Sequence, residues 1–117
     1  YQFQTAKNTG KVGLMMVGLG GNNGTTILGG IIANREKLSW NTKKGVQHSN
    51  MLGSMTQSST MKVADSLDGE FYMKIKEVIP LVNPENLVVS GWDISALDSA
   101  SAMKRAGVFD YELQQKL

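Results

Sequence analysis

The chain has 117 residues, of which 41% are hydrophobic and 19% charged, and its formal net charge is +2. This length suits one compact domain or part of a larger one, and so small a charge gives no sign of a nucleic-acid binder. The absence of cysteine excludes disulfides, thiolate metal sites and thiol nucleophiles, and we expect the single histidine, His48, in a surface loop.

A strand, a glycine turn and a helix are predicted in the first third of the chain. Val12–Val17 is apolar on both alternating faces, which is typical of a central parallel strand covered on two sides. Glycines follow in Gly18-Leu-Gly-Gly-Asn-Asn-Gly-Thr-Thr26, and apolar residues then recur at helical spacing from Ile27 to Leu38. The whole uncharged stretch, Val12–Asn34, is too rich in glycine, asparagine and threonine for a membrane span.

The middle of the chain, about residues 41–86, is predicted to be an insertion. The polar residues from Trp40 to Gln57 predict two loops with little regular structure. The other predicted elements are a hairpin of Thr60–Ala64 and Glu70–Lys74 around an Asp-Gly turn, a short helix at Lys76–Leu81 and a turn at Asn83–Asn86.

A second buried strand is predicted at Leu87–Ser90. Ser95 stands three residues before Asp98, which is the spacing of a capping box and predicts a helix from Ala96. Asp110 can cap a further helix near the end of the chain.

The glycine turn lies where a buried strand enters a helix, so its backbone N–H groups and the helix dipole can hold a phosphate. Gly18 permits the tight turn, and Gly24 lets the helix pack close to the sheet. Gly20 and Gly21 let the backbone approach a pyrophosphate because they carry no Cβ.

Two asparagines, Asn22 and Asn23, occupy the middle of the turn. Their side chains can donate to phosphate oxygens or rigidify the turn by bonding its own backbone, and both roles remain open. A mononucleotide P-loop would need a lysine where Gly24 stands. The turn therefore predicts a dinucleotide site, although Asn23 replaces the third glycine of G-x-G-x-x-G.

A dinucleotide fold also needs a carboxylate at the end of the second strand, where it binds the adenosine ribose. Glu36 has the usual spacing of about twenty residues from the glycines, but it falls in the predicted helix. Asp93 closely follows the second strand, so we assign the role to Asp93, with capping of helix amides as the alternative. The elements predict an α/β fold: part of a Rossmann-type doubly wound parallel sheet, with a loop and β-hairpin insertion between the first helix and second strand.

Three motifs occur in order: the glycine turn Gly18–Thr26, Gly53-Ser-Met-Thr-Gln57 and Gly91-Trp-Asp-Ile-Ser95. With these motifs the chain resembles the eukaryotic-type myo-inositol-1-phosphate synthase family, over nearly all of its length. The resemblance implies that residues 1–117 are the N-terminal part of an NAD-binding Rossmann domain and a fragment of the enzyme.

The resemblance implies that the whole enzyme converts D-glucose 6-phosphate to 1D-myo-inositol 3-phosphate with bound NAD, by oxidation, aldol cyclisation and reduction. It implies that the pyrophosphate is held by Gly20, Gly21, Asn22 and Asn23, and the adenosine ribose by Asp93. The family's catalytic lysines lie beyond the last residue, so we expect no catalytic and no metal-binding residue here. It also implies a cytoplasmic homotetramer of inositol and phospholipid biosynthesis, with no nucleic-acid or membrane partner.

Two other functions are compatible with the glycine turn alone. One is an NAD-dependent dehydrogenase with net redox chemistry, and the other is a non-catalytic nucleotide-binding module. The long insertion and the Gly-Trp-Asp-Ile-Ser motif favour the synthase.

Overall fold

Residues 13–50 and 88–117 fold into one unit, which contains the glycine turn, and residues 1–12 and 51–87 form a second unit. We call them the glycine-turn unit and the hairpin unit. The structure is a computed structural model that describes residues 1–117.

In chain order the strands and helices are β1 (Val12–Val17), α1 (Asn22–Arg35), β2 (Ser39–Thr42), β3 (Gly45–His48), α2 (Met55–Ser58), β4 (Thr60–Ser66), β5 (Gly69–Lys74), β6 (Leu87–Trp92), α3 (Ser99–Ala106) and α4 (Tyr111–Lys116). Short 3-10 helices lie at Ile75–Glu77 and Pro84–Asn86. None of the helices combines the length and the apolar character that crossing a bilayer requires.

The glycine-turn unit is built on the parallel strands β1 and β6, which are neighbours in one sheet. This parallel pair and its helices confirm the predicted α/β class. One face of the pair is covered, with Met16 9% exposed, while Met15 on the other face is 64% exposed. The described residues thus cover β1 on one side, whereas the sequence predicted cover on both.

The two strands approach closely at Gly91. A Cβ placed on this residue would overlap the carbonyl oxygen of Met16 and lie 3.2 Å from the Cβ of Leu19. Only glycine leaves room for the strands at this spacing.

The core of the glycine-turn unit is formed mainly by residues of its helices. α1 packs on α3, and α4 packs on α3 and β2. The buried hydrophobic residues are Met16, Ile31, Ala33, Ala102, Met103 and Leu113. Full burial of a side chain the size of Met or Leu stabilises the fold by roughly 1.5–3 kcal/mol.

Strands β2 and β3 form an antiparallel hairpin where the sequence predicted only loops, so that prediction was wrong. Helix α4 holds the hairpin: Trp40 Nε1 donates to Asp110 Oδ2 at 3.2 Å, and the Asn41 amide donates to Glu112 Oε2 at 3.1 Å. These partners lie about seventy residues apart in sequence, so local polarity could not reveal them. His48 is exposed as predicted, although it ends β3 and does not lie in a loop.

The predicted hairpin is present in the hairpin unit. β4 and β5 pair antiparallel from Thr60↔Lys74 to Ser66↔Gly69, with a bulge between Lys62 and Ala64. The predicted helix at Lys76–Leu81 was wrong, because the structure has only the 3-10 turn at Ile75–Glu77. Pro80 lies inside the predicted span, and a proline there removes a donor and restricts the residue before it.

Helix α3 begins three residues later than predicted. Its cap is Asp98, whose Oδ1 accepts from the Ser101 amide at 2.8 Å, and the helix starts at Ser99 instead of Ala96. The amide of Ser101, followed by its hydroxyl, lowers the pKa of Asp98 below its ordinary value. The spacing of Ser95 and Asp98 marked the right region, but Asp98 is the better acceptor because it is charged.

We predict that Gly91→Ala destabilises the protein by about 1–3 kcal/mol, because the new methyl group must push β1 and β6 apart. The matched control is Gly13→Ala in β1, where an added Cβ would meet its nearest atom, the Val88 carbonyl oxygen, at 3.9 Å. Urea unfolding of the full-length protein measures both. Equal stability of the two variants would contradict the close approach at Gly91.

Candidate functional site

The glycine turn, Gly18–Gly24, is tied to the end of the neighbouring strand. The amides of Gly18 and Leu19 both donate to the Trp92 carbonyl oxygen, at 2.8 and 3.1 Å. Gly18 has a φ of +82°, a conformation that glycine adopts without strain. The carboxyl ends of β1 and β6 therefore meet at one edge, which is where open α/β sheets bind their ligands.

The next two amides of the turn also have protein partners. The Gly20 amide donates to Asp93 Oδ2, and the Gly21 amide donates to the Gly18 carbonyl oxygen, each at 3.0 Å. Gly20 and Gly21 thus shape the turn and offer a backbone without Cβ, but they offer no free N–H.

Free amides lie immediately after them, in the first turn of α1. The first helical bond in this region runs from the Thr25 amide to the Gly21 carbonyl oxygen, at 3.0 Å, so the amides of Asn22, Asn23 and Gly24 have no acceptor in the chain. The 14-residue helix adds its dipole at this end. Three free donors at a helix start attract an anion.

The join between turn and helix depends on Gly24. A Cβ at this position would overlap the Leu19 carbonyl oxygen and lie 2.7 Å from the Gly18 carbonyl oxygen. Gly24 thus lets the helix approach the turn itself, whereas the sequence predicted a close approach of the helix to the sheet. Thr25, which is 4% exposed, further stabilises the junction between the turn and α1, since its hydroxyl donates to the Gly21 carbonyl oxygen at 2.9 Å.

The side chains of Asn22 and Asn23 are exposed and make no hydrogen bond to the turn. Of the two roles that the sequence left open, rigidifying the turn is therefore not observed. Both amide groups stand beside a depression of about 410 Å³, within the ~300–1,000 Å³ typical of small-molecule sites.

Asp93 lies against the glycine turn and is half-buried. Its Oδ2 accepts from Gly20, and its Oδ1 accepts from the Ser95 amide at 2.7 Å. A carboxylate offers about four lone-pair positions, so two remain for a ligand. Asp93 thus bonds to a local amide and to the turn at once, and the bond to the local amide leaves ribose binding, the other predicted role, open.

Glu36, the rival carboxylate, follows the last residue of α1 and is exposed. With 14 residues in α1 and a rise of about 1.5 Å each, it lies roughly 20 Å from the free amides. A ribose next to a phosphate held at those amides is beyond its reach.

Two groups that hold the glycine turn were not predicted from the sequence. The Trp92 carbonyl oxygen anchors the turn, and Arg105 Nη2 donates to the Gly20 carbonyl oxygen at 3.0 Å. Every residue has a main-chain carbonyl oxygen, so the sequence does not indicate that the one of Trp92 anchors the turn. Arg105 lies 85 residues from Gly20, too far along the chain for a local pattern to link the two.

The motif Gly53-Ser-Met-Thr-Gln57 belongs to the hairpin unit, where it starts α2. Ser54 caps this short helix by accepting from the Gln57 amide at 3.3 Å. Gln57, 8% exposed, donates through Nε2 to the Val82 carbonyl oxygen at 3.2 Å. Within the hairpin unit the motif thus has a structural role.

A second, mostly apolar cleft lies between α1 and α3, lined in part by Leu28, Ile32 and Met103. No charged side chain lines it. We therefore place the candidate site at the glycine turn, where free amides lie beside a depression and a carboxylate bonds to the same turn.

Comparison with known proteins shows which proteins the chain is similar to. The family model described as myo-inositol-1-phosphate synthase, an NAD-binding domain, matches residues 12–117. The chain is 50% identical over 117 residues to inositol-3-phosphate synthase 1 of Populus euphratica, and 49% identical over 118 residues to inositol-3-phosphate synthase of Dictyostelium discoideum. Both alignments cover 100% of the chain and 23% of the relative, so the chain spans less than a quarter of the relatives' length.

A solved structure shows the same fold. The crystal structure of inositol-3-phosphate synthase from Caenorhabditis elegans matches with a TM-score of 0.88 at 42% identity, over 97% of the chain and 22% of that protein. The predicted Rossmann-type fold is thereby confirmed.

We predict that Gly24→Ala weakens NAD binding by at least about tenfold, because moving one amide away from a charged acceptor forfeits about 1.5–3 kcal/mol. The matched control on the same helix is Gly30→Ala, where an added Cβ meets nothing within 4 Å. It should leave NAD affinity unchanged and raise stability by roughly 0.5–1 kcal/mol. Isothermal titration and urea unfolding measure the two effects, and equal NAD affinity of both variants would refute the role of Gly24.

Proposed function

Because the chain belongs to the myo-inositol-1-phosphate synthase family, we propose that it is the NAD-binding part of an enzyme that converts D-glucose 6-phosphate to 1D-myo-inositol 3-phosphate. The observation that carries the proposal is the meeting of the Asp93 carboxylate with the glycine turn, at 3.0 Å from the Gly20 nitrogen. A dinucleotide site requires hydrogen-bond donors for the diphosphate and, next to them, an acceptor for the ribose hydroxyls.

The residues present fit the cofactor. The amides of Asn22, Asn23 and Gly24 would hold the diphosphate, with the side chains of the two asparagines as further donors. Gly18, Gly20 and Gly21 would contribute the backbone shape, since their amides are already bonded. The unused lone pairs of Asp93 would accept from the adenosine ribose.

NAD bound at this site would supply reversible hydride transfer to and from the substrate. The part of this chain is to bind and orient the adenosine diphosphate half of the cofactor. The ionisable side chains that hydrogen-bond to the glycine turn are Asp93 and Arg105, and both hold Gly20 in place. We therefore assign the cyclisation chemistry to the remainder of the enzyme.

We also propose that the hairpin unit is an insertion into the Rossmann fold between α1 and β6. The division of the chain supports this proposal and shifts the bounds from about 41–86 to 51–87, since residues 39–48 belong to the glycine-turn unit. We further propose that the whole enzyme is a cytoplasmic homotetramer that acts in inositol and phospholipid biosynthesis. Membership of the family supports this proposal.

Asp93→Ala in the full-length enzyme should weaken NAD binding by about 1–3 kcal/mol, the loss typical of a charged acceptor. Glu36→Ala is the control, because it removes a carboxylate at the far end of α1. Titration calorimetry with NAD measures both. Unchanged affinity in Asp93→Ala, or an equal loss in the control, would remove Asp93 from the ribose site.

The full-length enzyme should consume glucose 6-phosphate with a catalytic amount of NAD and without accumulation of NADH, because the hydride is returned within each turnover. Absorbance of NADH, recorded beside phosphate-ester analysis of the product, measures this. Stoichiometric NADH would instead indicate a dehydrogenase with net redox chemistry.

A further inference from the structure

Arg105 is the cationic side chain that hydrogen-bonds to the glycine turn, through the 3.0 Å bond from Nη2 to the Gly20 carbonyl oxygen. Helix α3 delivers it there. Ala102, 1% exposed, packs beside the turn, since a Cβ built on Gly20 would lie 3.8 Å from the Ala102 Cβ. Arg105 follows three residues later and so shares that face of the helix.

Gly20 is held from both sides by opposite charges. The Asp93 carboxylate accepts from its amide, and the Arg105 guanidinium donates to its carbonyl oxygen. The carboxylate alone would place a negative charge beside free amides that otherwise favour an anion, and it would oppose an approaching diphosphate. Arg105 offsets that charge at the same residue.

Most of the guanidinium remains available to a ligand. It carries five N–H donors, and the Gly20 carbonyl oxygen is its acceptor in the chain. The residue is exposed, so its other donors are open to solvent at the side of the turn. A planar fork of donors matches the oxygen atoms of a phosphate group.

We propose that Arg105 binds a phosphate group of the cofactor directly, with the Gly20 carbonyl oxygen fixing the guanidinium beside the diphosphate. The inference rests on the proposed function, because it presumes that the glycine turn binds NAD. It adds to that function a phosphate ligand that comes from α3 and not from the turn.

The test uses the full-length enzyme and measures affinity for NAD, ADP and adenosine by titration calorimetry. Arg105→Met should weaken NAD and ADP about 10- to 100-fold, the range for a lost charged hydrogen bond, and should change adenosine by less than about twofold. Arg105→Lys should recover part of the loss for NAD and ADP, because it restores the charge without the fork. The matched control is Lys104→Met, which removes the same charge from the adjacent, exposed position of α3.

The outcomes separate the two proposals. An equal loss for adenosine and ADP in Arg105→Met would mean that the effect of Arg105 does not depend on the phosphate groups, and unchanged ADP affinity would mean that Arg105 has no part in binding; either result overturns the inference and leaves the proposed function intact. An equal loss in Lys104→Met would reduce the effect to general charge and also overturn it. Failure of the unmodified enzyme to bind NAD would overturn the proposed function itself.

Discussion

The hydrogen bond from the Gly20 amide to Asp93 is the interaction on which the site depends. It joins the turn after the first strand to the residue after the last strand, 73 positions later in the sequence. The bond places a carboxylate beside the turn while a different set of amides, those of Asn22 to Gly24, stays free. The proposed site uses both: the free amides as donors to a diphosphate and the carboxylate as acceptor from the ribose next to it.

Close backbone approach is the condition for this arrangement. Gly91 lets β6 lie against β1, so that the Trp92 carbonyl oxygen can receive two amides of the turn. Gly24 then lets the helix start directly over the carbonyl oxygens of Gly18 and Leu19. Each contact joins main-chain atoms, so the arrangement depends on two glycines that carry no Cβ.

Much of the site could be predicted from the sequence because its determinants are local. Gly18 to Gly24 lie between a buried apolar run and a helical repeat, and Asp93 closely follows the second such run. The choice of Asp93 over Glu36 needed only the rule that ligands meet the carboxyl ends of parallel strands. The structure agrees with that choice as far as proximity to the turn is concerned.

What the sequence could not give depends on contacts between distant segments. The hairpin β2–β3 is held by Asp110 and Glu112 of a helix at the other end of the chain, and its own polar residues look like a loop. The start of α3 was misplaced because Ser95 and Asp98 are both good caps locally. The contact of Arg105 with the turn was not predicted, since nothing in the neighbouring residues indicates Gly20 as its partner.

A crystal structure of the full-length protein with NAD tests the central claim most directly. The account predicts diphosphate oxygens within about 3.2 Å of the amide nitrogens of Asn22, Asn23 and Gly24, with the adenosine ribose hydroxyls on the Asp93 carboxylate. A diphosphate bound away from these amides, or a ribose that does not touch Asp93, would contradict it.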